Sequence, residues 1–426
     1  MTEDFLHYIW KYQLFNANNL ITHSGQNLSI VSPGIHNHAS GPDFSEAVIS
    51  IGNISWAGNV EIHKNSSDWF RHKHEKDPNY LKVILHVVWN YDQPVYDLNK
   101  NEIPVLVLNG KVSNSLIKNY RTLNMSKNSV LCSELIDKRN DFKTSQWLHR
   151  VLIERLEYKV SEIKDIYLQT NRNWEQTMFV VLSKNFGFKV NAIPMHELAK
   201  RIDFKILLKN KDSQVALESI FFGVAGLIPD KPKSVFEKHL KTEFAHNKHK
   251  YQLETIDKSI WKFGKVRPTN FPTLRISQLA TLILKNGNLF DVFVRNMDIE
   301  TVKGLLSVKC SDFWDTHFIF ERKSKDSKKN LGKKSIENIL INSITPMLFF
   351  YGKESQSLLH QEMAISLLEK THPENNFITK NWAQYNMFAK NAFDSQALIQ
   401  LTNSYCNLKN CLNCGIGKQL LINETS

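Results

Sequence analysis

Two carboxylates and a histidine are the residues of this chain whose spacing most suggests chemistry. Asp43 follows Pro42, and Glu61 begins the triplet Glu61-Ile62-His63 that closes the stretch Gly58-Asn-Val-Glu-Ile-His. Between them lie two alternating runs, residues 44–51 and 54–62, joined by Gly52-Asn53. A Gly-Asn dipeptide between alternating runs signals a β-hairpin, so Asp43 is expected to return beside Glu61 at its open end. Mg²⁺ and Mn²⁺ favour oxygen ligands, and one or two carboxylates leave room for water and phosphate. A metal so held activates water and stabilises charge on a phosphoryl oxygen. Asp43, Glu61 and the backbone carbonyl of Ile62 are the expected metal ligands. His63 and Lys64 are the expected catalytic neighbours.

Parity tests this expectation. With Gly52-Asn53 as a strict two-residue loop, Asp43 falls opposite Ile62, and Asp43 and Glu61 face opposite sides of the sheet. A three-residue loop, or a bulge at Gly58, restores them to one face. Lys64 follows His63 directly and so points to the other side of a regular strand.

The pair Pro42-Asp43 with Glu61-Ile62-His63 resembles the PD-(D/E)xK nuclease superfamily. That resemblance implies a helix–strand–strand–strand–helix–strand core. Residues 2–15 read as its first helix and 28–31 as its first strand. The hairpin supplies two strands, 67–80 the second helix, and 82–89 the last strand. His63 stands where the superfamily usually has lysine, and a neutral imidazole cannot supply a constant positive charge. Nearly the whole chain also resembles the family of domain of unknown function 2851. That resemblance rests on GPDF at 41–44, GNVEIH at 58–63, SSDWFRHKH at 66–74, ILHVVW at 84–89, RPTNFPTLRI at 267–276, SQALIQL at 395–401 and YCNLKNCLNCGIG at 405–417. It implies no particular activity.

Further side chains could serve such a site. His36, His38, His63, His72, His74 and His86 crowd one stretch. On one helix His72 and His74 would face different sides and could not share an ion, although His63, His86 and one of the pair could converge. Asp68, His72, Asp77 and Tyr80 form a polar face on the expected second helix. Arg267 and Arg275, with His72 and His74, are candidate nucleic-acid contacts, and Thr273 could cap the helix that follows Arg267. Packing between domains would explain the two arginines equally well. Cys406-x4-Cys411-x2-Cys414 matches the spacing of a plant-type iron–sulfur run, which needs a distant fourth cysteine. Cys132 or Cys310 could supply it, with Cys132 preferred, and Zn²⁺ would accept the same four ligands.

The whole chain sets the frame. Of its 426 residues, 54 are Lys or Arg and 42 are Asp or Glu, a net charge of +12 that favours a polyanionic partner such as nucleic acid. The acidic start lacks the basic and apolar segments of a signal peptide, and no apolar run reaches spanning length. Five cysteines, three near the C-terminus, do not form a secreted disulfide framework. The expected setting is the cytoplasm, away from membranes. After about residue 125 the apolar period changes from strand to helix. The chain therefore reads as an α/β domain at 1–125 with a restriction-nuclease-like αβββαβ core, followed by a larger, mostly α-helical domain at 126–426. Expected helices include 146–168, 174–186, 195–209, 213–223, 233–244, 273–285, 335–350 (broken at Pro346), 355–369, 382–390 and 395–405. The leading function is metal-dependent hydrolysis of nucleic acid. One alternative is a binding or assembly protein that keeps the nuclease fold without the chemistry. The other is a Zn- or Fe-dependent hydrolase of a small substrate, built on the histidines. The lysine-rich stretch 321–334 is read as a solvated loop, with phosphate contact as its sharper alternative.

Overall fold

The computed structural model describes residues 1–37, 39–295 and 298–422. A mixed β-sheet region at the N-terminus is followed by a larger, mostly helical region. The chain divides into two compact units, Met1–Trp147 with Asn403–Ser426, and Leu148–Thr402. The expected boundary near residue 125 falls inside the first unit, and the cysteine-bearing tail belongs to that unit too. Its last helix, Gly415–Ile422, is tied there by Asn119, whose Nδ2 donates to the Leu420 carbonyl at 3.0 Å.

The first unit begins with α1 (Glu3–Lys11), capped by the Thr2 hydroxyl, which accepts from the Phe5 N–H. Phe5, Leu6, Tyr8, Ile9 and Trp10 are buried, so the helix is held by its apolar face. It ends earlier than the expected residue 15 because Gln13 takes a left-handed conformation, φ 50°. The strands β1 (Leu28–Ser32), β2 (Ile35–His36), β3 (Phe44–Ile51), β4 (Ile54–Asn65), β5 (Val83–Asn90) and β6 (Val105–Val107) form one sheet. Its order is β1-β3-β4-β5-β6, with β2 also on β3. Pairing is antiparallel from β1 to β4 and parallel from β4 to β6.

The expected helix at 67–80 is instead a single turn, α2 (Asp68–Arg71), then two 3₁₀ turns at His74–Lys76 and Pro78–Tyr80. Lys73 adopts a left-handed conformation, φ 63°, which ends the helix. Pro78 cannot supply the N–H that a continuing helix would need. Asp92 fastens the start of this segment, accepting from the Ser66 hydroxyl at 2.7 Å and the Ser67 N–H at 2.8 Å.

In the second unit the helix expected at 174–186 spans Trp174–Phe186. The one expected at 195–209 divides into Ala192–Lys200 and Phe204–Lys209, where Asp203 caps a new helix through the Lys205 N–H. The break expected at Pro346 is absorbed by a π-helical turn, Leu340–Ile344, leading into Thr345–Glu354. The helix expected at 382–390 lies earlier, at Phe377–Ala383, where Asn376 and Thr379 form a capping box. Part of the lysine-rich stretch is folded in. Lys329 is buried, donating to the Asp315 carbonyl at 3.2 Å and lying over the Phe318 ring.

Candidate functional site

Register decides whether the two carboxylates meet. From the turn outward β3 and β4 pair as a strict two-residue hairpin, Ile51 with Ile54 through Ala47 with Gly58, and then shift to Phe44 with Val60. That shift continues to set Asp43 opposite Glu61, on one face. The bulge is therefore in β3, where Glu46 has φ 57°, and not at the expected Gly58. Gly58 answers a different demand, because a Cβ there would lie 2.6 Å from the Lys82 carbonyl oxygen and 2.5 Å from Ile84 Cγ2. Its missing side chain lets β5 approach β4.

The two acids are joined by backbone hydrogen bonds. The Asp43 N–H donates to Glu61 Oε2 at 3.1 Å, and the Ile62 N–H donates to Asp43 Oδ2 at 2.9 Å. Glu61 is buried and Asp43 half-buried. Burial raises the Glu61 carboxyl above its ordinary range; the Asp43 charge adds to the rise, and the His74 ring opposes it.

Five histidines surround this pair. His63 shares the Glu61 face of β4 two residues on, and its Nε2 lies 3.5 Å from Glu61 Oε1. His86, on β5, is the register partner of Glu61. His63 Nδ1 contacts His86 Nε2 at 2.9 Å, and His63 Nε2 contacts His72 Nδ1 at 2.9 Å. His74 Nε2 lies 3.3 Å from Glu61 Oε1, and its ring stacks on Tyr80 at 3.8 Å. The expectation that His72 and His74 diverge is overturned, because left-handed Lys73 removes them from one helix and turns both toward His63. The metal-ligand atoms of His63, His72 and His74 all lie within 4.8 Å of one another. Burial and the neighbouring rings push His63 down to about 2, and burial pushes His86 down to about 3.

The fifth histidine, His7, was missed in the sequence. Its Nε2 lies 3.2 Å from Asp43 Oδ2. Burial works to lower its pKa, but the Asp43 carboxylate outweighs that and holds the ring above its ordinary value. The signal was a lone histidine amid Phe5-Leu6-His7-Tyr8-Ile9-Trp10, where the surrounding residues are core.

Other expected residues do other work. Lys64 is exposed, across the strand from His63. Asp68 accepts from the Asn65 N–H at 3.0 Å, and Asp77 caps a 3₁₀ turn through the Asn79 N–H at 2.9 Å. His36 stacks on Phe44, and His38 lies outside the described residues. Arg267 and Arg275 belong to the second unit. Arg275 is buried, donating to Gln278, Asn270 and Ser335 and lying over Phe188 at 4.6 Å. Phe271, not Thr273, is the cap of that helix, and the Thr273 hydroxyl donates to the Phe318 carbonyl.

Cys132, Cys406, Cys411 and Cys414 all lie in the first unit and are buried or half-buried. Burial raises the Cys406 thiol, and Cys132, Cys414 and Cys411 each add to the rise. Cys310 is in the second unit, contacting the Leu274 carbonyl. Among the described residues the cysteines do not close on one point as the three histidines do.

Sequence comparison identifies the lineage. The chain belongs to the DUF2851 family of proteins of unknown function. The match covers residues 3–377. No curated protein and no solved structure matches the chain. No described helix is long and apolar enough to cross a membrane.

Proposed function

We propose that the Asp43–Glu61 end of the sheet hydrolyses phosphodiester bonds in nucleic acid with the help of a divalent cation. The observation that carries this reading is the meeting of two carboxylates, one buried and one half-buried, through the Asp43 N–H to Glu61 Oε2 and the Ile62 N–H to Asp43 Oδ2. The order α1, β1, the β3–β4 hairpin and β5 follows that implied by the PD-(D/E)xK resemblance, with β2 added after β1 and the single turn α2 where that resemblance implies a second helix.

The donor set suits a cation. Glu61 is a buried acid whose charged form is disfavoured by burial and by Asp43, so a positive ion held by these two residues would relieve both costs. A bound Mg²⁺ or Mn²⁺ would supply activated water and charge stabilisation at the phosphoryl oxygen. The protein's own part is positional. The Ile62 N–H fixes Asp43, leaving the Ile62 carbonyl as the third oxygen of this reading. His63, held by His86 on one side and His72 on the other, orients what approaches Glu61 and brings no lysine-like charge. The net charge of +12 supplies attraction for a polyanion.

Purified protein is expected to cut DNA or RNA in Mg²⁺ or Mn²⁺ and to stop in chelator. Asp43→Asn should lower cleavage by about a hundredfold or more while nucleic-acid binding persists and weakens with salt. Salt-sensitive binding with no cleavage of any tested nucleic acid would instead support the alternative, a binding or assembly protein.

We further infer that Cys132, Cys406, Cys411 and Cys414 hold an iron–sulfur cluster or Zn²⁺. Cys414 receives the backbone N–H groups of Ile416 and Gly417. A Cβ at Gly417 would collide with the Cys411 carbonyl, so Cys411 to Gly417 is a tight turn that glycine permits.

A further inference from the structure

The three histidines beside Glu61 are not explained by packing. His74 is buried, yet its Nε2 has no aligned hydrogen-bond partner among the described residues and faces Glu61 Oε1 at 3.3 Å. Buried ring nitrogens left in that state cost free energy, and native structures keep few of them. A core histidine would be expected to find a carbonyl or hydroxyl partner. Here the partners available are other imidazoles and one carboxylate.

Three of the separations approach those of donors on a common ion, while the histidine donor atoms as a set span up to 4.8 Å, so binding would draw them closer together. Donors about 2.0–2.1 Å from one metal lie roughly 2.9–3.4 Å apart at octahedral to tetrahedral angles. The structure has His63 Nε2 to His72 Nδ1 at 2.9 Å, His74 Nε2 to Glu61 Oε1 at 3.3 Å, and His63 Nε2 to Glu61 Oε1 at 3.5 Å. Behind His63, His86 Nε2 meets Nδ1 at 2.9 Å and so aims Nε2 at the centre of the group. Metal-binding histidines are commonly fixed through their second nitrogen in this way.

We propose that His63, His72 and His74 form a site for a nitrogen-preferring divalent transition metal of the zinc or ferrous-iron class, with Glu61 Oε1 beside His63 and His74. Imidazole ligands suit these ions and not Mg²⁺. Glu61 then lies between two environments, its Oε2 toward the Asp43 backbone and its Oε1 toward the histidines. The site goes beyond the hydrolytic reading and needs no cleavage to exist.

The test is metal binding by the full-length protein, stripped with chelator and titrated with Co²⁺ and Zn²⁺. Titrated to two equivalents, so that the cysteines are filled as well, Co²⁺ should give weak visible d–d absorption that His72→Ala removes, separate from any intense near-ultraviolet cobalt–thiolate bands. Zn²⁺ should displace it, and millimolar Mg²⁺ should not. His72 is exposed, so His72→Ala should fold normally and weaken Co²⁺ binding tenfold or more. His74→Ala should do the same. Asp43→Asn keeps the backbone N–H that holds Glu61 and should leave Co²⁺ binding within a few-fold, although cleavage falls. No Co²⁺ uptake, uptake indifferent to both histidine changes, thiolate-type absorption alone, or displacement by Mg²⁺ would each overturn the proposal. None of these outcomes depends on whether nucleic acid is cut.

Discussion

At the scale of single residues, burial decides which titratable groups have consequences. His63 and Lys64 are neighbours in sequence, but one lies at the centre of a buried histidine group and the other in solvent. The second unit holds a simpler case in Glu218, fully buried on the helix Gln214–Val224. Its Oε1 accepts from the Ser311 hydroxyl at 3.0 Å and the Trp314 indole at 3.3 Å, and Oε2 has no partner among the described residues. Burial pushes this carboxyl up to about 7, against the pull of its hydrogen bonds. A raised acid gives stability that is fully present below its unfolded pKa and is lost as pH rises to about 7. Glu218→Gln removes the ionisation, so it should stabilise the protein at pH 8 by on the order of 3 kcal/mol relative to its effect at pH 4. Denaturant unfolding at the two pH values measures this. An equal effect at both would show that Glu218 ionises freely in the folded state.

At the scale of elements, two local irregularities build the candidate site. The bulge at Glu46 shifts β3 by one residue and places Asp43 opposite Glu61. The left-handed Lys73 breaks α2 and turns two histidines the same way. Gly58 acts separately, since its bare backbone admits the carbonyl of Lys82 and brings β5, with His86, against β4. Gly58→Ala should therefore cost about 1–3 kcal/mol of stability, because the obstructing atom is backbone and cannot rotate away. Urea denaturation would show it. A loss below a few tenths of a kcal/mol would mean that β5 moves aside freely.

At the scale of the molecule, the chain's ends are not equivalent to its domains. The tail leaves the helical unit at Asn403 and belongs to the first unit, where Cys132 lies. If these cysteines bind metal, the tail is held by that bond as well as by Asn119. Protein purified without oxygen should carry stoichiometric iron or zinc. Chelation should then speed proteolysis within residues 403–422, because thiolate binding couples to folding. Metal-free protein with four freely reactive thiols and a protease-resistant tail would remove the idea.

What the sequence determined by itself was local. Alternation and Gly52-Asn53 specified the β3–β4 hairpin, and apolar periodicity specified helices such as Trp174–Phe186, because these patterns depend on neighbours a few residues apart. The same hairpin left the meeting of Asp43 and Glu61 undecided, since parity turns on one bulged residue. Glu46 carries no glycine to mark that bulge. The histidine group was legible as a cluster in sequence but not as a site. Its convergence required the break at Lys73, the parallel pairing of β4 with β5, and α1 bringing His7 to Asp43. Those are long-range packing choices, and only the tertiary structure decides them.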